Sequence, residues 1–241
     1  MPSKADLLLE KRRYGLSLEI SDQEQKMLNA GFPVQKIIGY VDLANVRINV
    51  SKNVLIPRYE TEELVFHALD LIKKHNFQNV LDLCAGSGFI GIALKKNNAN
   101  LSVTCADIDP QAIESTQENC ELNQVNVKII TSDLFENINS KFDLIVSNPP
   151  YLSRSELISD SVLKFEPHQA LFANENGLFF YKKILKQAFE YLNDKGMIIF
   201  EINPLHIDFW TQIKHEFDIE ILKDLSGKNR FVIVKQKISS F

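Results

Sequence analysis

The run FDLIVSNPPYL, residues 142–152, closes an apolar stretch on an asparagine, two prolines and a tyrosine. Two successive prolines end a strand, because neither donates a backbone N–H and each fixes φ near about −65°. Asn148 and Tyr151 are therefore presented from a stiff loop at a carboxyl strand end, the edge where open α/β sheets bind ligands. A planar side-chain amide nitrogen is the kind of nucleophile this loop suits. Its lone pair is delocalised into its carbonyl, so it needs positioning and charge relief rather than a strong base. The Asn148 side-chain carbonyl and the Pro149 carbonyl would accept its two N–H groups. Pro150 adds stiffness, and Tyr151 offers a flat face that excludes water. The plain structural reading is a proline turn carrying a surface tyrosine.

A second loop lies upstream in VLDLCAGSGFIGIAL, residues 80–94, where Gly86, Gly88 and Gly91 spell GxGxxG between a buried strand and a helix start. Glycines at Gly86 and Gly88 let the backbone turn tightly and approach a ligand. Asp82, at the strand end, either caps its own turn or meets the ligand, and a carboxylate there suits a cation better than a pyrophosphate. S-adenosylmethionine carries a positive α-amino group and a sulfonium and no phosphate, so it is the expected cofactor. Asp107 ends the next strand, at the position of a ribose-binding carboxylate in such folds. Asp109 precedes Pro110 and reads as a helix cap. Asp133, after the third strand, reaches the same sheet edge, placed to accept from an adenine amino group.

These loops need a frame, and strand–helix alternation supplies it. Strands over 79–83, 101–106, 127–130 and 142–147, with helices over 89–96 and 110–123, predict a parallel, doubly wound sheet. Leu178, Tyr181, Leu185, Ala188 and Leu192 recur at helical spacing within 176–192, and 197–200 reads as a buried strand. A helix over 205–215 precedes a terminal hairpin, 218–222 and 231–235, turning around Gly227. Ahead of the alternation, 4–12 and 22–30 read as short helices, the second capped by Ser21 or Asp22. Residues 36–56 read as a β-hairpin with Val46, Ile48 and Val50 alternating. The expected division is an N-terminal helical docking module over 1–35, a linking hairpin over 36–57 and a catalytic domain over 58–241.

The 241 residues are 45% hydrophobic and carry 27 Lys plus Arg against 31 Asp plus Glu, a formal net charge of −4. That allows one substantial core with a small appendage and gives no electrostatic invitation to nucleic acid. Cys84, Cys105 and Cys120 lack CxxC spacing and leave an odd thiol for disulfide pairing, so a reducing compartment and no metal site are expected, with Cys105 filling core. No uncharged apolar stretch approaches the roughly 18 residues of a membrane span, and the N-terminus lacks a signal peptide's apolar region. A cytoplasmic, membrane-free monomer is the expectation.

Taken together, the motifs resemble the HemK-type glutamine methyltransferases. The likeness is carried by GFPVQKIIG (31–39), LIPRYETEELV (55–65), the glycine loop, NPPY, EPHQALFANENGLFFYKKIL (166–185) and KDLSGKNRFVIV (223–234), in that family's order and spacing. It implies a seven-stranded, Rossmann-like S-adenosylmethionine-dependent methyltransferase sheet with a terminal antiparallel hairpin. It further implies methylation of N5 of the glutamine in the Gly-Gly-Gln motif of peptide-chain release factors. By the same resemblance Asp82, Leu83, Cys84, Ala85, Gly86, Asp107, Leu134 and Asn148 contact the cofactor, and Asn148, Pro149, Pro150 and Tyr151 hold the glutamine. Tyr59 stands where a proline is usual, Leu134 where an aromatic often packs on adenine, and EINPLH (201–206) lacks the family's common glycine and glutamine. The N-terminal module is also short. The alternative is an adenine-N6 DNA or RNA methyltransferase, which shares NPPY but calls for a recognition module and a basic face. A nicotinamide dehydrogenase would leave NPPY unexplained.

Overall fold

A computed structural model describes residues 1–237, so the last four residues of the expected 58–241 domain lie outside the described residues. Helices α1 (Lys4–Arg13) and α2 (Asp22–Asn29) each start in a capping box, Ser3 with Asp6 and Ser21 with Glu24, in which side chains satisfy the first orphan N–H groups. With α3 (Val34–Ile38) they enclose a satellite core of Leu7, Leu28 and Val34. Residues 36–38 therefore finish a helix and do not open the hairpin. The hairpin is confined to β1 (Tyr40–Leu43) and β2 (Val46–Asn49). Ala44 and Asn45 both sit at positive φ in its turn, the conformation that matches strand twist in a two-residue loop. Val41, Leu43, Val46 and Ile48 bury into the principal core, so the hairpin is part of the main body.

Helix α4 (Tyr59–His75) lies outside the elements expected above. Its buried Leu64, Val65, Ala68, Leu71 and Ile72 follow one helical face, with acidic residues in the first turn and Lys73, Lys74 and His75 in the last, as the helix dipole favours. The alternation then runs β3 (Asn79–Leu83), α5 (Phe89–Asn97), β4 (Ser102–Asp107), α6 (Pro110–Asn123), β5 (Lys128–Thr131) and β6 (Phe142–Ser147). Short α7 (Asp160–Phe165) and α8 (His168–Leu171) lead to α9 (Phe179–Ala188), β7 (Leu192–Glu201), α10 (Ile207–Gln212) and the hairpin of β8 (Phe217–Lys223) with β9 (Asn229–Gln236).

The sheet order is β5-β4-β3-β6-β7-β9-β8, with β9 antiparallel to both neighbours and the other pairs parallel. Strand order reverses beside β3, which opens a crevice over the carboxyl ends of β3, β4 and β6. Side chains alternate across the sheet. Val80, Val103, Leu144, Val146 and Ile199 face α4 and α5, while Leu81, Leu83, Ile145, Ile198 and Phe200 face Tyr181, Ile184 and Trp210. By that parity Asp82 and Glu201 point to the α4–α5 face, which decides what each does.

Candidate active site

A cavity of about 370 Å³ occupies the crevice, within the range of small-molecule sites. Leu83, Cys84, Ala85 and Gly86 form one wall, Asp107 another, Asp133 and Leu134 a third, and Asn148 with Pro150 the end nearest α4. Cys84 and Leu134 both hold φ in the left-handed region, at 63° and 50°, the local strain that tight loops concentrate at sites. Asp82, Gly88, Pro149 and Tyr151 do not line this cavity.

The three glycines divide the work. A Cβ on Gly86 would meet no heavy atom within 4 Å, so its backbone is open for a ligand to approach. One on Gly88 would lie 2.7 Å from Thr116 Cγ2, and one on Gly91 would overlap Cys105 Sγ. Gly88, expected at the cofactor, instead lets α5 pack against α6, and Gly91 lets α5 settle on β4.

Asp82, also expected at the cofactor, does not face the cavity. It is fully buried beneath the loop, and its Oδ2 accepts the Gly91 N–H at 2.8 Å. It thus caps α5 from below at one of the orphan N–H groups of the first turn. Burial pushes its carboxyl up to about 7, aided by the nearby Asp107 charge and opposed by the Gly91 bond. A folded-state value raised above the ordinary 3.8 means stability that is fully present below about pH 4 and is lost as pH rises through about 7. Asp82→Asn keeps an acceptor for Gly91 and removes the titration. Its stability relative to wild type should therefore improve between about pH 5 and pH 7, by at most roughly 1.4 kcal/mol per pH unit. Urea denaturation across that range checks it, and a pH-independent difference would show that Asp82 does not titrate there.

Asp107 ties the loop to the next strand. Its Oδ2 accepts the Gly86 N–H at 2.8 Å and its Oδ1 the Asp109 N–H at 2.9 Å, while burial raises its carboxyl above the ordinary range. The lone pairs left over on the cavity side can take ribose hydroxyls. The Gly86 N–H is spent on Asp107 and the Gly88 N–H on the Ala85 carbonyl, so the loop has few donors for a pyrophosphate, and a carboxylate stands beside it. This donor set fits a cation-bearing nucleoside and disfavours a dinucleotide. Asp133 bears an ion pair from Lys183 at 3.1 Å, and both line the cavity. Asp109 is the cap of α6, its Oδ1 accepting the Gln111 N–H. Asp107→Ala should weaken S-adenosylmethionine binding by about 1–3 kcal/mol, and unchanged affinity in calorimetry would remove Asp107 from the site.

Across Asn148 lies a second, smaller cavity of about 150 Å³, walled by Pro149, Tyr151, Arg58 and Glu201. Asn148 borders both spaces. Its Nδ2 donates to Thr61 Oγ1 at 3.2 Å; Thr61 donates to Glu201 Oε2 at 2.7 Å, and the Tyr151 hydroxyl donates to Glu201 Oε1 at 3.0 Å. Glu201 is fully buried. Burial pushes its carboxyl up, against the hydrogen bonds from Thr61 and Tyr151 and the positive field of Arg230. The mouth of the smaller cavity is braced by Arg58 on the buried Glu166 at 2.6 Å, and Glu166 also accepts the Ile56 N–H.

This arrangement has relatives. Residues 64–235 match the methyltransferase small domain family. A release factor glutamine methyltransferase from Streptococcus pneumoniae is 40% identical over 238 residues, covering 92% of this chain and 84% of the relative. One from Clostridium botulinum is 41% identical over 213 residues, covering 83% and 74%. The chain belongs to the release factor glutamine methyltransferase family. Among solved structures, a methyltransferase from Pyrococcus furiosus superposes with a TM-score of 0.58 at 17% identity, covering 89% of this chain and 98% of its own. A ribosomal protein L11 methylase from Lactobacillus delbrueckii subsp. bulgaricus gives 0.56 at 22%, covering 79% and 84%. At those identities they speak for the shared fold.

In this member of the release factor glutamine methyltransferase family, three side chains at the site carried no sequence expectation. Thr61 and Glu201 sit inside quoted segments but meet only through the sheet, and Lys183 reaches Asp133 from α9. The i, i+3, i+4 face of α4 was the available signal for Thr61, since it places Thr61 on the buried side with Leu64 and Val65. Among the described residues no group of three or more His, Cys, Asp or Glu side chains is gathered.

Proposed function

We propose that the chain methylates the N5 side-chain amide nitrogen of a glutamine, that of the Gly-Gly-Gln motif of peptide-chain release factors, with S-adenosylmethionine in the larger cavity and the glutamine in the smaller. The observation that carries the reading is the place of Asn148, on the boundary of both cavities with its amino group committed to Thr61. Its carbonyl oxygen is thereby left for the incoming amide.

S-adenosylmethionine supplies the methyl group when bound. Leu83 to Gly86, Asp107 and Leu134 would hold it, with Asp107 on the ribose. Asn148 Oδ1 and the Pro149 carbonyl accept the two N–H groups of the substrate amide, turn its nitrogen toward the larger cavity and share the positive charge that grows on it. Once that nitrogen is cationic its proton is acidic, and it leaves to solvent without a dedicated strong base. Tyr151 lies along the smaller cavity with its hydroxyl held by Glu201, which fixes the ring that covers the amide and excludes water. A formal net charge of −4 supports a protein substrate over a polyanion, and a cytoplasmic setting follows from release factors as substrate.

The test is incubation with labelled S-adenosylmethionine and purified release factors, followed by mass spectrometric location of the modified residue. Label on the Gly-Gly-Gln glutamine supports the reading. Label on nucleic acid instead, offered in the same reaction, overturns it in favour of an adenine methyltransferase.

A further inference from the structure

Asn148 can do its work in only one of its two amide orientations. With the carbonyl toward the substrate it accepts an N–H; turned over, it would present its own N–H groups to the substrate N–H groups and repel them. The two orientations have the same shape, so the choice must come from the partner on the far side of the side chain. That partner is Thr61, and a hydroxyl donates or accepts according to where its single proton goes.

We infer that Glu201 and Thr61 form a positioning relay that locks Asn148 in its productive orientation, an inference that rests on the function proposed above. A carboxylate accepts only. As a carboxylate, the form that the two hydroxyl donors and Arg230 favour against burial, Glu201 draws the Thr61 proton to Oε2 at 2.7 Å, and Thr61 Oγ1 is left able only to accept from Asn148, at 3.2 Å. The acceptance selects Nδ2, and Oδ1 is turned to the cavities. The other carboxylate oxygen takes the Tyr151 hydroxyl at 3.0 Å, so both functional side chains of the loop are referred to one buried anion. Arg230, held by Asp224 at 3.1 Å, lies close enough to favour that anion. The relay is carried by secondary structure: Ser147 of β6 is in register with Phe200 of β7, so Asn148 and Glu201 follow at neighbouring strand ends, and α4 places Thr61 over both. Thr61 and Glu201 act through Asn148 and need not touch the substrate.

The deciding experiment is a double-mutant cycle on Thr61→Val and Asn148→Ala, read by single-turnover methylation of a release factor with both substrates saturating. Thr61→Val keeps the shape and removes the hydroxyl. It should slow transfer by about ten- to thirtyfold in the wild-type background and by no more than about twofold once Asn148 is gone, because coupled residues are non-additive. Thr61→Ser, which restores the hydroxyl, should recover most of the loss, and the S-adenosylmethionine affinity of Thr61→Ser by calorimetry should stay within about threefold of wild type. If Thr61→Val fails to fold, Glu201→Asp takes its place in the cycle, since a carboxylate one methylene shorter cannot reach both hydroxyls. Equal slowing in both backgrounds, or no slowing in wild type, would overturn the relay. Neither result would alter the site of methylation in the wild-type protein, so the two ideas fail separately.

Discussion

Replacing Asn148 by alanine is expected to lower the single-turnover rate of methyl transfer by roughly a hundredfold or more, the usual scale for loss of one preorganised polar contact at a developing charge. The side chain carries little of the fold. It is half-buried, its one side-chain hydrogen bond among the described residues is the 3.2 Å contact to Thr61, and the strand before it is fixed by its own core residues. S-adenosylmethionine affinity should fall modestly, because the cofactor walls on β3 and β4 do not depend on it. Asn148→Asp is not expected to rescue the rate. Aspartate retains acceptors for the substrate but cannot donate to Thr61, and it would bring a second carboxylate toward the buried Glu201, which favours a protonated, misdirected side chain. Any fraction that stayed ionised would instead attract the sulfonium in the ground state and so stabilise what must react. The measurement is methyl transfer with cofactor and release factor both saturating. A rate for Asn148→Ala within about threefold of wild type would make the loop a structural turn and the proposed chemistry wrong.

The elements that position this loop were legible wherever the sequence punctuates itself. The bounds of β3, α6 and β6 agree with expectation because Asp109 caps before Pro110 and because two prolines follow Ser147. Helix α4 carries an amphipathic face, but its first residues double as a motif, and Arg58 at its cap position makes no side-chain capping bond that a sequence could announce. Side-chain direction was harder to read. Asp82 at a strand end beside a glycine loop has the right type for a cofactor ligand, yet period two turns it beneath α5, a fact settled only once Gly91 is seated on Cys105. Asp107 has the same parity, because Asp82 pairs with Cys105, but it lies two residues further along its strand and emerges at the cavity. The pair shows that residue type near a strand end sets the candidates, while depth along the strand beneath its covering helix chooses among them. Thr61 and Glu201 lie 140 residues apart, and nothing local links a threonine in a first helical turn to a glutamate at the end of a late strand.

A second large loss is expected from a residue that touches neither substrate. Gly177 ends a short turn before α9 at φ 89°, a region that costs other residues roughly 1–2 kcal/mol. The larger difficulty is space. A Cβ there would overlap the Tyr151 backbone carbonyl and lie 2.7 Å from His206 Cε1. Neither neighbour yields easily. The Tyr151 backbone belongs to the stiff proline loop, whose next residue is bonded both ways, Leu152 N–H to the Leu171 carbonyl and Leu152 carbonyl to the Ala173 N–H. His206 is buried, with Nε2 2.9 Å from the Asn176 carbonyl oxygen. Gly177→Ala must therefore push the Asn148–Tyr151 loop away from the α9 side, and overpacking of this kind adds about 1–3 kcal/mol to the backbone strain. A shift of about 1 Å in a positioning group is enough to cost about a hundredfold in rate, so transfer should fall at least that far even in protein that remains folded. The cofactor walls at Gly86 and Asp107 lie on other strands, and S-adenosylmethionine affinity should change less than the rate does. Chemical denaturation, calorimetric titration of the cofactor and single-turnover transfer, measured on one preparation, separate these effects. Wild-type stability together with a wild-type rate would mean that the loop adapts to the added methyl group, and that its stiffness is not what aims Asn148.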